Sequence, residues 1–228
     1  MRFSESGAVP EARAPVIGIV GCGRMGTALA ETFAAQRRPL LLASRGGGSA
    51  SGLAERLPGA RAGSLERVAR EADIVALASP LAAIHAEIAP RIRAHVVGKP
   101  VIDMSNPGGH DLLGHGSAAE LIACLLPGGA VVKAFNCLSA RQLAGVAHNG
   151  VTLTVPIAGD HPRAKEAVRS IAESAGLDVA DAGDLPGSRW IEALAQLLMR
   201  LEKQPGLGDA VGFRLLRLTA CEAAWTRP

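Results

Sequence analysis

The chain has no tyrosine, and aromatic residues make up only 3% of its 228 positions. Without Tyr, no Ser-Tyr-Lys proton-relay set can be assembled, which excludes a short-chain dehydrogenase. Basic residues are also unremarkable in number: 24 Lys+Arg stand against 21 Asp+Glu, for a formal charge of +3, and they form no block interleaved with aromatics. A nucleic-acid partner is therefore not expected. Cysteine is scarce. Cys22, Cys124, Cys137 and Cys221 lie far apart with no CxxC spacing, so they read as small apolar side chains in a reducing, cytoplasmic compartment. His110 and His115 match no zinc-ligand spacing, and no metal is expected. Long apolar runs are missing too, because Arg, Glu or Pro interrupts every stretch before the roughly 18 residues that a membrane span requires.

What is present is enough apolar material for a full core, 48% hydrophobic against 20% charged. Residues 1–14 read as a loose leader, since Ser, Glu, Gly and Pro there bring no periodicity. From Pro15 onward, short aliphatic runs alternate with Ala/Leu-rich segments of helical period, the pattern of repeated βα units. Strands are predicted at Pro15–Val20, Leu40–Ser44, Asp73–Ala78, Val101–Asp103, Val131–Ala134, Thr152–Ile157 and Leu177–Ala180. Helices are predicted at Met25–Gln36, Leu53–Leu57, Leu65–Glu71, Leu81–Ala94, Ser117–Leu125, Ser139–Ala147, Pro162–Ala175, Arg189–Leu201 and Asp209–Ala224. The expected fold is α/β: a Rossmann-type, doubly wound, mainly parallel sheet with helices on both faces and a small C-terminal helical extension. Residues 15–228 would form this domain, with a substrate-side lobe over about 151–228.

The sharpest local signal is Gly21-Cys22-Gly23-Arg24-Met25-Gly26, directly after the apolar run Val16–Val20 and opening onto a helical stretch. In that setting Gly21 permits a tight turn, Gly23 lets the backbone approach a pyrophosphate, and Gly26 lets the helix pack on the strand. The phosphates would then meet the free N–H groups at the helix's positive end. At the end of the second strand stands Ser44-Arg45, where a carboxylate would select a ribose with free hydroxyls. A hydroxyl and a guanidinium instead favour a 2′-phosphate, and hence NADP(H). The competing reading leaves Arg45 as a solvated cation on the glycine-rich loop Gly46-Gly47-Gly48.

Several separated segments together resemble the F420-dependent NADP oxidoreductase family, which also includes the reductase domain of the membrane metalloreductases. They are residues 17–26, Ala43-Ser44-Arg45, Val101-Ile102-Asp103-Met104-Ser105-Asn106-Pro107, Val132-Lys133-Ala134-Phe135-Asn136-Cys137, and later Ala158-Gly159-Asp160, Gly183-Asp184-Leu185 and Trp190-Ile191-Glu192-Ala193-Leu194. The resemblance implies that Gly21, Cys22, Gly23, Arg24, Met25 and Gly26 hold the pyrophosphate and that Ser44 and Arg45 hold the 2′-phosphate. It further implies that Ser79, Pro80 and Leu81 lie beside the riboses, with Asn106, Pro107, Ala134, Phe135 and Asn136 near the nicotinamide, where a second redox cofactor, coenzyme F420, would stack. Asn136 is the candidate for positioning the reacting ring. Read without the family, Asn106-Pro107 could be a plain turn and Asn136 a helix cap, although Ser139 is the better cap.

Hydride transfer between NADPH and a stacked acceptor needs alignment and exclusion of water more than it needs a proton donor. An alternative is an NADPH-dependent imine or keto-acid reductase acting as a dimer, with His85, Lys133 and Asp184 as the donors to test. Another is a non-catalytic NADPH-sensing module. The segment Arg189–Leu201 places Trp190, Leu194, Leu197, Leu198 and Leu201 at helical spacing, which suits either core packing or a homodimer seam.

Overall fold

The structure is a computed structural model that describes residues 13–145, 150–208 and 211–216. The leader expected over 1–14 lies almost wholly outside the described residues. Six parallel strands form one sheet in the order β3-β2-β1-β4-β5-β6, running β1 (Ile17–Val20), β2 (Leu40–Ala43), β3 (Ala60–Ala62), β4 (Ile74–Leu77), β5 (Pro100–Asp103) and β6 (Ala130–Lys133). The central register aligns Ile17 with both Leu40 and Ile74. The chain order reverses beside β1, so a crevice opens past the carboxyl ends of β1 and β4.

Side-chain alternation along β1 sorts the two faces. Ile17 and Ile19 pack with Leu29 and Phe33 of α1 (Arg24–Ala35), while Val16 and Val20 pack on the opposite face with Val68 of α3 (Leu65–Glu71). Gly18 lies between Val16 and Val20 for a reason of space: a Cβ there would come within 2.8 Å of both Ala72 Cβ and Val68 Cγ1. The second face is completed by α6 (Ala118–Leu125) and by a composite helix beginning at α4 (Leu81–Ala83). The predicted continuous helix Leu81–Ala94 is interrupted by a π-type turn at Ile84–Ile88 before α5 (Ala89–Ile92). Pro90 lies inside this run; it has no N–H to give to an i−4 carbonyl, and a widened turn accommodates its ring.

The remaining elements are α2 (Gly48–Arg56), α7 (Ala140–Leu143), a small parallel pair β7 (Thr154–Ile157) and β8 (Asp178–Asp181), α8 (Pro162–Ser174) and α9 (Ser188–Leu201). The pair is tied to the main sheet by an antiparallel bridge between Lys133 and Ala158. Val155, Ile157, Val168 and Ile171 share one core cluster with Ile17 and Phe33, so this C-terminal part packs directly on the sheet.

Three expectations need correction. β3 was not predicted, because Ala-Arg-Ala carries no strand-forming residue and becomes extended only through edge pairing with β2. Second, α2 starts at Gly48 rather than Leu53, its N-terminal turn tied down by Ala50 N–H donating to Ser44 Oγ at 3.2 Å. Lastly, the helix expected at Asp209–Ala224 is contradicted at residues 211–216, which run without helix beside β7; Phe213 C=O accepts from Thr154 N–H at 2.8 Å, and Leu215 N–H donates to Thr154 Oγ1 at 3.0 Å. The helix expected at Ser139–Ala147 is present as the short α7, with Ser139 as its cap: Ser139 and Gln142 form a reciprocal capping box.

Candidate functional site

The glycine loop joins β1 to α1, and its three glycines meet three different surroundings. Gly21 has φ of +110°, and a Cβ there would lie 2.3 Å from Ser79 Oγ. Gly26 is pressed against the turn, since a Cβ would fall 1.7 Å from the Gly21 carbonyl oxygen. A Cβ on Gly23, by contrast, would meet nothing within 4 Å. Gly21 and Gly26 therefore shape the turn, while Gly23 leaves an open face above it. Gly23 is also the N-cap of α1, with no side-chain cap and no acidic residue in the first turn, so the helix's first amides face that opening without a competing carboxylate. Cys22 does not add a thiolate: Sγ donates to the Ala43 carbonyl at 3.6 Å, and burial pushes its pKa up to about 11.

Beyond β2, Ser44, Arg45, Ser51, Ser64 and Arg91 line a cleft of about 320 Å³. Its two guanidinium groups are each held by a carboxylate. Arg45 meets Glu87 at 3.2 Å, and Arg91 grips Glu66 through two hydrogen bonds of 2.6 and 3.1 Å. The Arg91 hydrogen bond is the main reason Glu66 is held down near about 2. Sequence reasoning missed Arg91, which the widened turn and α5 bring to the same cleft as Arg45.

Past β4, the Ser79 hydroxyl donates to the Val20 carbonyl at 3.1 Å and so braces the glycine turn. Leu81 turns its side chain into the core and Pro80 stays exposed, leaving backbone rather than side chain at that point of the crevice. Past β5 and β6, the two predicted asparagines come together. Asn136 Nδ2 donates to Asn106 Oδ1 at 3.0 Å, and Asn106 Nδ2 donates to the Asn136 carbonyl at 3.4 Å. The chain reverses into this pair at Phe135, a buried non-glycine residue with φ of +62°, a conformation that costs energy and persists only where the surroundings enforce it. Ala134 is fully buried and contributes no side chain to the surface.

The asparagines form part of the lining of a hollow of about 540 Å³, shared with Arg24, Met25, Met104 and Cys137 and walled by Leu198 and Met199 of α9. Beside it, the buried Ser105 hydroxyl finds no partner among the described residues, leaving its hydrogen-bonding capacity for a bound group or water. Cys137 is no nucleophile here, since burial pushes its pKa up to about 12. A second hollow of about 540 Å³, lined by Gln36, Arg37, Arg38 and Ser170, lies at the amino ends of β1 and β4, the edge where open α/β sheets do not bind ligands.

None of the three candidate proton donors is free to act at this hollow. Lys133 is fully buried, and Nζ donates to Asp103, to the Ser105 carbonyl and to Glu192, each at 2.7 Å. His85 Nδ1 and His110 Nε2 share a hydrogen bond of 3.1 Å. Asp184 is exposed at the start of a short 3-10 turn and is not part of the lining. Among the described residues no three His, Cys, Asp or Glu side chains gather as a metal site, and no helix is long and apolar enough to cross a membrane.

The sheet order and the glycine turn together define a Rossmann-type fold of the dinucleotide-binding class. Residues 16–107 match the family described as NADP oxidoreductase, coenzyme F420-dependent, and that segment belongs to the family. Metalloreductase STEAP3 of Rattus norvegicus is 31% identical over 195 residues, which is 85% of this chain but 39% of the relative; the chain thus spans well under half of that protein's length. A protein of Arthrobacter sp. FB24 named as an F420-dependent NADP reductase superimposes with a TM-score of 0.78 at 24% identity, over 88% of this chain and 99% of the other. A hypothetical protein of Sinorhizobium meliloti, SMa0349, does so at 0.66 with 31% identity, over 77% and 87%.

Proposed function

We propose that the chain transfers a hydride between NADPH and a second redox molecule, with coenzyme F420 as the first candidate. The observation that carries this reading is the division of labour in the glycine loop, where Gly21 and Gly26 are packed tight and Gly23 alone faces open space. A diphosphate fits there against the uncapped amides of α1. Ser44 and Arg45 would hold the 2′-phosphate, with Arg91 as an additional cation in the same cleft. When bound, the nicotinamide supplies the hydride from C4. Asn106 and Asn136 would orient that ring through their paired amides, while Met25, Met104, Leu198 and Met199 keep water from the reacting face. No side-chain acid is required, which agrees with the engagement of Lys133 and His85 elsewhere.

Mixing the purified chain with NADPH and F420 tests the reading: deazaflavin absorbance is expected to fall as NADPH is consumed. Persistence of that absorbance with turnover of an imine would favour the reductase alternative. Stoichiometric NADPH binding with no acceptor reduced would favour a sensor, and reduction of a ferric chelate would point toward the activity in the rat relative's name. We also infer a homodimer in the cytoplasm. Trp190, 73% exposed, and Leu197, 53% exposed, leave an outward apolar stripe on α9 that supports the dimer. Sedimentation equilibrium at twice the monomer mass is the expected result.

A further inference from the structure

We propose that His85 and His110 form a latch that holds the loop after β5 against the crevice, keeping Asn106 in place, and that the latch opens when both imidazoles carry a proton. The consequence for coenzyme binding rests on the dinucleotide reading; the latch itself does not.

β4 and β5 are neighbours in the sheet, and the chain beyond the carboxyl end of each supplies one histidine. His85 lies on the π-type turn that follows Ser79 and Pro80, and His110 lies shortly after Asn106. Nδ1 of the first and Nε2 of the second are 3.1 Å apart, while the ring centroids are 5.4 Å apart with their planes at 80°. So wide a centroid spacing for so short a contact requires the two nitrogens to point at each other nearly head-on. One N–H···N hydrogen bond therefore joins the rings, which do not stack.

Little else fixes this part of the loop. Gly108 and Gly109 are exposed, with φ of +57° and +83°. His110 N–H donates to the Pro107 carbonyl at 2.8 Å and Leu113 N–H to Asp111 Oδ1 at 2.9 Å, bonds that stay within the loop. Among the described residues, His110 makes the only side-chain hydrogen bond from residues 107–111 to another element. Leu112, just beyond, rests against the second core face, and Asn106, just before, bonds Asn136 on the wall of the hollow. The latch thus governs the span between a core anchor and a site residue. His85 and His110 are positioning residues, acting through Asn106.

A neutral imidazole has one donor and one acceptor nitrogen, whereas an imidazolium has two donors and no acceptor. The bond survives as long as one ring is neutral. Two cationic rings would set N–H against N–H with like charges in contact. The carboxylates of the surrounding elements are engaged elsewhere: Glu87 on the same turn with Arg45 at 3.2 Å, Asp111 with Leu113 N–H, and Glu120 of α6 with Ser117 and with Arg189 at 3.5 Å. The other basic groups there are His115 in the loop and Arg91 of α5, which is bound to Glu66. Imidazole is the side chain whose charge ordinarily changes between about pH 5 and 8, so the latch opens as pH falls through that range.

The test compares wild type with His110→Gln, which keeps a hydrogen-bonding group but cannot become charged, and with His110→Ala, which cannot form the bond. The first readout is amide hydrogen exchange of residues 108–113 in the coenzyme-free chain, compared between proteins at one pH. Wild type should match His110→Gln at about pH 8 and exchange as fast as His110→Ala at about pH 5. The second readout is the NADPH dissociation constant by calorimetry. At about pH 5, His110→Gln should bind about three- to tenfold tighter than wild type, the worth of one hydrogen bond, and the two should agree at about pH 8. The 2′-phosphate takes up a proton in the same range, equally in all three proteins, so the comparison is unaffected. His85→Asn serves if His110→Gln does not stay folded. A merely structural role would weaken His110→Gln and His110→Ala alike at both pH values. That result, or wild type exchanging like His110→Gln at both pH values, or an affinity difference under about threefold at about pH 5, overturns the proposal. Wild-type protein that binds neither coenzyme overturns the dinucleotide reading, and the exchange comparison then decides the latch alone.

Discussion

The two ends of the crevice are built on opposite principles. Beside β1 and β2 the backbone forms the site: glycines without side chains, an uncapped helix start, and exposed cations on a glycine-rich loop. Beside β5 and β6 almost nothing is left unpaired. Lys133, Asp103 and Glu192 are locked together, the asparagine amides bond each other, and Phe135 is held in a left-handed conformation. The first end suits a ligand that brings its own charge and needs only donors and space. The second suits a reacting ring, whose position must be set before it arrives.

The comparison can be broken most forcefully at the locked end. Lys133→Met leaves two buried carboxylates without their counter-ion and should cost about 3–5 kcal/mol of stability by urea unfolding; a loss under about 1 kcal/mol would mean the network carries little. At the open end, fold and binding should separate. Gly26→Ala drives a methyl into the Gly21 carbonyl and should lower both thermal stability and coenzyme affinity. Gly23→Ala, which only exchanges one N-cap for a poorer one, should lower the melting temperature far less than Gly26→Ala yet weaken NADPH by roughly 30-fold, about 2 kcal/mol, because the added methyl fills only the ligand's space. Equal stability losses in the two variants would contradict the assignment.

Smaller effects sharpen the picture. Ser44→Asp places a carboxylate in the cleft of Arg45 and Arg91 and should weaken NADPH about tenfold relative to NADH, roughly 1.4 kcal/mol. Parallel changes for both coenzymes would remove the 2′-phosphate from that cleft. The smallest effect is in acid. Because Arg91 depresses the folded pKa of Glu66, its contribution is present above the ordinary value of 4.5 and is lost as pH falls through about 2. Glu66→Gln should flatten the stability profile in that window while leaving neutral pH almost untouched, since the pair is exposed.

The same contrast explains how much could be read from the sequence. The open end was legible in its shape because that shape is local: three glycines at fixed spacing after an aliphatic run name the strand, the turn and the helix start on which the proposed use rests. Asn106 and Asn136 were named as site residues, yet their pairing depends on β5 and β6 being neighbours, and periodicity alone does not reveal that. Lys133 read as a possible donor because nothing around it in sequence announces Asp103 or Glu192, which arrive from another strand and from α9. Arg91 was invisible for a similar reason, depending on a widened turn that no pattern of apolar residues predicts. β3 and residues 211–216 take their conformations from a neighbouring strand and not from their own composition. Tertiary pairing overrides propensity at each of these places.

The central claim is that the loop from Gly21 to Gly26 clasps a dinucleotide diphosphate while the Ser44–Arg45 cleft takes an extra phosphate. Isothermal titration of the full chain with NADPH and NADH, at fixed ionic strength, tests it most directly. Saturable one-to-one binding of NADPH, tighter than NADH, is the predicted result. Absence of measurable affinity for either coenzyme would contradict it.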